Sequence, residues 1–133
     1  MANAIYPKYK EGILQSAANT NLSSGTVKVA LVDTGTYTYS SAHQFLTSLT
    51  GVVGTAQTLG SKTFTNGTFD AADPTFTAVT GASVEALVFY VDTGTAATSP
   101  LVAYIDTGQT GLPVTPNGGN ITVTFDAAGI FTL

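Results

Sequence analysis

Three Asp-Thr-Gly triplets are the residues best suited by type to do chemistry here: Asp33-Thr34-Gly35, Asp92-Thr93-Gly94 and Asp106-Thr107-Gly108. Two aspartates in such loops, if brought together, share one proton and activate a water for peptide hydrolysis. Turn formation asks less of the same residues. Asp accepts backbone N–H bonds from the residues that follow it, and Gly supplies a positive φ. All three triplets follow apolar runs, and two flank the connection between adjacent strands, so they read as repeated turns. His43 is the single histidine. Ser40, Ser41 and Asp33 lie near it in sequence without the order of a nucleophile–base–acid relay, and metal sites need several ligands together. Asp70 and Asp73 flank a turn but offer too few oxygen donors for calcium. Gly118-Gly119 lacks the lysine and the following helix of a phosphate loop. Cysteine is absent, which removes thiol nucleophiles, zinc cages and disulfides. The expectation is a protein with no catalytic residue, no cofactor and no metal.

Composition narrows the partners. Of 133 residues, four are lysine, none is arginine and eight are acidic, giving a formal net charge of −4. Charged residues make up 9 %, against about a quarter in ordinary domains. Nucleic acid is disfavoured as a partner, because phosphates need clustered cations and Lys8 and Lys10 are the one close pair. A weakly charged, Thr-, Ser-, Gly- and Ala-rich surface suits a protein surrounded by other protein. The first twelve residues hold no apolar run of signal-peptide length, and no stretch approaches the roughly 20 apolar residues of a membrane span. Neither a leader nor a membrane is expected.

The elements that must position these residues are mostly strands. Residues 1–25 form an arm: Tyr6, Tyr9, Ile13 and Ala17 share a helical face, and Pro7 suits a first helical turn. Residues 26–133 read as one β domain. Thr26–Val32 alternates in the period of a half-buried strand. Ser41 and Gln44 have capping-box spacing, and Ala42, Phe45, Leu46 and Leu49 recur at helical spacing, which predicts a short inserted helix over 42–49 closed by Gly51. Asn66-Gly67 is a two-residue hairpin signal that sets Phe64 opposite Phe69. Residues 74–79 suit an edge strand opened by Pro74. Residues 84–91 (VEALVFYV) and 101–105 (LVAYI) are apolar at nearly every position, as strands covered on both faces are. The second cover is either the short helices or a neighbouring subunit. Residues 121–125 and 130–133 complete the set. Short strands broken by Gly, Asp and Asn turns point to an all-β fold, an antiparallel sandwich or jelly-roll-like barrel.

Several stretches resemble short virion proteins of tailed bacteriophages of the head decoration, or capsid cement, type. They are ANAIYPKYKEGIL at the start, VKVALVD (27–33), YSSAHQFL (39–46), FDAAD (69–73), FTAVTGA (76–82), ALVFYVDTG (86–94) and GLPVTPNGGNIT (111–122), together nearly the whole chain. The resemblance implies a protein of the phage head surface, made in the host cytoplasm. It would bind the major capsid protein and bridge its neighbouring copies as a homo-oligomer, a dimer or trimer. No residue-level contact follows from it. From the residues themselves, Tyr6, Tyr9 and Ile13 are candidate partner contacts, since tyrosines on an exposed arm make good interface anchors. Closing one end of the β domain is the other role open to them. Two further functions stay open: a tail or head–tail component, and a sugar- or cell-surface-binding β-sandwich using Tyr37, Tyr39, Tyr90 and Tyr104 as platforms.

Overall fold

A computed structural model describes residues 3–133. Its centre is a five-stranded antiparallel sheet in the order β1-β7-β6-β2-β3. These strands are β1 (Ala4–Ile5), β2 (Thr26–Val32), β3 (Val52–Thr58), β6 (Ala86–Asp92) and β7 (Leu101–Ile105). Two short ribbons pair β4 (Thr68–Phe69) with β9 (Phe131–Thr132), and β5 (Thr75–Phe76) with β8 (Ile121–Thr122). The fold is all-β with one α-helix, α1 (Pro7–Leu14). The layers over the sheet are ribbons, turns and loops, so strand pairing alone does not draw the expected sandwich or jelly roll.

The two apolar runs behave as their composition requires. Ala86 to Val91 and all of β7 are buried. Side chains alternate across a strand, so β6 and β7 each present two faces. On one, Phe89 lies 5.8 Å from Phe125 of the C-terminal segment. On the other, Val88 pairs in register with Tyr104, whose ring meets Tyr37 and Tyr39. Both covers come from the same chain, and these runs need no neighbouring subunit to hide them.

The N-terminal segment is part of the sheet. Ala4 and Ile5 pair with Tyr104 and Ala103, and the Tyr6 N–H donates to the Val102 carbonyl. Tyr6 is fully buried and Tyr9 nearly so. This corrects the expectation of exposed arm tyrosines. The sheet edge carries the segment inward, and desolvation of two aromatic rings holds it there. The Tyr6 hydroxyl shares a 2.7 Å hydrogen bond with Tyr37, and the Tyr37 hydroxyl another of 2.8 Å with His43 Nδ1. His43 is thus an end-piece of a tyrosine chain.

The helix expected over 42–49 is replaced by a single 3-10 turn, Leu46–Ser48. Long-range backbone bonds win: Leu46 N–H donates to the Ser99 carbonyl, and Leu101 N–H to the Gln44 carbonyl. Ser40, not Ser41, uses its hydroxyl locally, accepting from Ala42 N–H. An isolated helix of two turns is marginal in water, so these competing bonds decide the segment. The Asn66-Gly67 turn forms as expected. Both residues take positive φ, the Thr68 N–H closes on the Thr65 carbonyl, and Thr63 pairs with Asp70. Phe64 and Phe69 then stack at 5.6 Å.

Candidate interaction surface

The aspartate triplets resolve into turns. The Asp33 carboxylate accepts from Gly35 N–H at 2.8 Å, and Asp92 from Gly94 N–H at 2.9 Å. Asp92 pairs across from Thr26 at one end of β2, while Asp33 follows its other end. At ~3.3 Å per residue the two lie roughly 20 Å apart, far beyond proton sharing. Asp92 also meets Lys28 at 2.8 Å, and that bond, helped by Gly94 N–H, holds its carboxyl below the usual range. The third triplet is capped from outside, with Asn3 Oδ1 accepting from Asp106 and Thr107 N–H. Asp70 accepts from Ala71 N–H and Asp73 from Phe125 N–H. Among the described residues, no group of three or more His, Cys, Asp or Glu side chains converges as metal ligands do. No helix among them is long and apolar enough to cross a membrane.

The tyrosines named as sugar platforms are not presented to solvent. Tyr37, Tyr90 and Tyr104 are buried, and half-buried Tyr39 packs between Tyr6 and Tyr104.

What the surface does offer is an apolar cleft of about 450 Å³. Helix α1 contributes Tyr9 and Ile13, the loop that follows it Leu22, the hairpin Phe64, and the C-terminal segment Phe131 and Leu133. No charged side chain lines it. Phe64 and Leu133 are 40 % and 60 % exposed, and Leu14, beside Ile13, is 87 % exposed. Among the described residues, two of the four large exposed apolar side chains thus line this cleft, and a third, Leu14, follows one of its lining residues in the chain. Its walls are fixed by polar bonds made elsewhere. Tyr9 donates its hydroxyl to the Thr20 carbonyl at 2.7 Å, and Thr68 and Thr132 hydroxyls bond at 2.8 Å. Lys62 donates to the carbonyls of Leu22 at 2.6 Å and Gly25 at 2.7 Å, pinning the loop that carries Leu22. Replacing Lys62 with methionine is expected to cost about 1–2 kcal/mol, the range for charge-assisted bonds partly open to water. Faster hydrogen exchange confined to residues 20–25 checks it; unchanged exchange there would rule out the pinning role.

Of the arm residues named from sequence, Tyr9 and Ile13 reach this cleft and Tyr6 does not. Sequence reasoning missed Leu22, Phe131 and Leu133, and treated Phe64 only as a register-setting partner of Phe69. Phe64 stands one residue from a turn on a two-stranded ribbon, where one ring face must remain open. That was the available signal. Comparison with known proteins adds no family: no family model matches the chain, and no curated protein matches it.

Proposed function

We propose that the chain is a structural virion protein that binds the outer surface of an assembled phage capsid. It stabilises the shell by bridging copies of the major capsid protein, without catalysis or cofactor, and acts as a dimer or trimer on the head. The observation that carries this reading is the apolar cleft, lined by no charged side chain, with Phe64 and Leu133 standing open at it. Exposed apolar groups gathered in one place favour a protein partner over solvent. The low surface charge and the resemblance to decoration proteins point the same way. A protein that binds the assembled shell but not its separated subunits stabilises the shell by mass action, and many lattice copies let modest contacts add.

The test is co-sedimentation with mature and immature heads of the parent phage, against isolated capsid protein. Saturation at a fixed ratio on expanded shells, with a raised shell melting temperature, is expected. Absence of binding to either shell, with binding to tails or to a glycan array instead, overturns the reading. Phe64→Asp is expected to weaken attachment by about 30-fold, the ~2 kcal/mol of a central anchor. Its own melting curve should stay close to wild type, because Phe64 is the exposed member of its stacked pair. Undiminished attachment of Phe64→Asp would exclude the cleft as the capsid contact.

A further inference from the structure

Phe131 also borders a second concavity, of about 580 Å³, whose other lining residues include Ala4, Ile5, Lys10, Tyr39 and Thr132. Two strands line it, β1 through Ala4 and Ile5 and β9 through Phe131 and Thr132. β1 is the end strand of the five-stranded sheet, and β9 is paired with β4 alone. In an antiparallel ladder, alternate residues turn their main chain toward the partner and away from it. Tyr6 N–H donates to β7 and Leu133 N–H to the Gly67 carbonyl, so Ile5 and Thr132, one residue earlier, turn theirs outward. Among the described residues, neither makes a main-chain hydrogen bond outside its own strand pair. A strand residue occupies about 160 Å³, from the ~3.3 Å rise, ~4.8 Å strand spacing and ~10 Å layer spacing, so roughly three to four residues fill the gap.

The charge at this concavity is specific. Lys8 pairs with Glu11, Lys28 with Asp92, and Lys62 is held by loop carbonyls. Lys10 lines the concavity and, among the described residues, its ammonium has no ion pair or hydrogen bond. We infer that the gap between β1 and β9 binds an extended peptide segment that carries a carboxylate. The segment adds as a strand to one or both edges, as peptides do on open sheet edges, and its carboxylate pairs with Lys10. This does not rest on the capsid reading. A chain with a different partner would present the same gap, and the binding is measured without any capsid.

The experiment is selection of a displayed library of short random linear peptides on the isolated chain, followed by titration of the enriched peptides into isotope-labelled protein. Enriched sequences should alternate β-branched residues and contain Asp or Glu. They should protect the Ile5 and Thr132 amides from exchange, and lose binding when methylated on alternate backbone nitrogens. Lys10→Glu should weaken them at least tenfold and Lys10→Arg should retain them, with both melting within about 2 °C of wild type, since Lys10 is exposed. The inference is overturned by the absence of enrichment, by equal binding to Lys10→Glu, or by shifts at Ile13 and Leu22 in place of Ile5 and Thr132.

Discussion

Tyr6→Ala is expected to cost about 3–5 kcal/mol, as large-to-small changes of buried aromatic residues do. That is a large part of the roughly 5–15 kcal/mol that holds an ordinary domain together. Tyr6 is fully buried, its ring lies 5.1 Å from that of Tyr39, and its hydroxyl bonds Tyr37. Alanine leaves a cavity in a tyrosine cluster that cannot collapse, because the sheet carries Tyr104 on one side of it. Tyr6→Phe keeps the ring and removes only the hydroxyl. Tyr37 then still bonds His43, so no polar group is orphaned, and the cost falls to about 1 kcal/mol. Urea denaturation of the pair separates packing from hydrogen bonding. A Tyr6→Ala unfolding free energy within about 1 kcal/mol of wild type would show that the N-terminal segment detaches without cost to the sheet. The consequence reaches function. Deleting residues 1–13 removes β1, Tyr6 and Tyr9 together, so such a truncation unfolds the chain before it can report on capsid attachment. Phe64→Asp asks the attachment question without that confusion.

The same residues show where the sequence was legible. Residues 84–91 and 101–105 announced strands buried on both faces, because no polar side chain interrupts them where the sheet is covered. Asn66-Gly67 announced its turn because two successive positive φ values admit few residue types. The first two Asp-Thr-Gly triplets were readable as turns because Asp and Gly act locally, within two residues, whereas the third is capped by distant Asn3. What failed was decided at long range. The backbone of 44–46 bonds Ser99 and Leu101, more than fifty residues away, and a helical spacing over 42–49 carries no trace of that competition. The arm was misjudged for a similar reason. Its periodicity grouped Tyr6, Tyr9, Ile13 and Ala17, but α1 ends before Ala17, which is exposed, and only the pairing of Ala4 and Ile5 with β7 tells that Tyr6 and Tyr9 turn inward. The cleft was hidden more deeply still, since its walls come from four stretches of chain and no single stretch is unusual. Phe64 and Leu133 become visible as a surface only once Thr68 and Thr132 are side by side.

Alkali should unfold this protein in a steep transition near pH 11–12. All six tyrosines are shifted in one direction. Burial pushes Tyr9 up to about 12. It raises Tyr6 further, with the Tyr37 hydrogen bond adding to it, and it also raises Tyr37, Tyr39, Tyr90 and Tyr104. In the unfolded chain tyrosine titrates near 10. Above that pH the folded state binds more protons than the unfolded state, so stability is whole below about pH 10 and falls as pH rises. The loss for each fully shifted group is about 1.4 kcal/mol per pH unit. Tyr6 and Tyr9 alone therefore remove about 5 kcal/mol by pH 12, comparable with the whole stability of many domains. The half-buried Lys28–Asp92 pair weakens in the same direction but adds little. Tyrosinate absorbance and β-sheet circular dichroism should change together, in one cooperative step. Tyr9→Phe should lower the slope of stability against pH by about 1.4 kcal/mol per unit above pH 10. If instead tyrosinate appears gradually with a midpoint near 10 while the sheet signal persists, the tyrosines titrate in contact with water. The packing of Tyr6 and Tyr9 into the core would then be wrong, and with it the case that the N-terminal segment belongs to the fold.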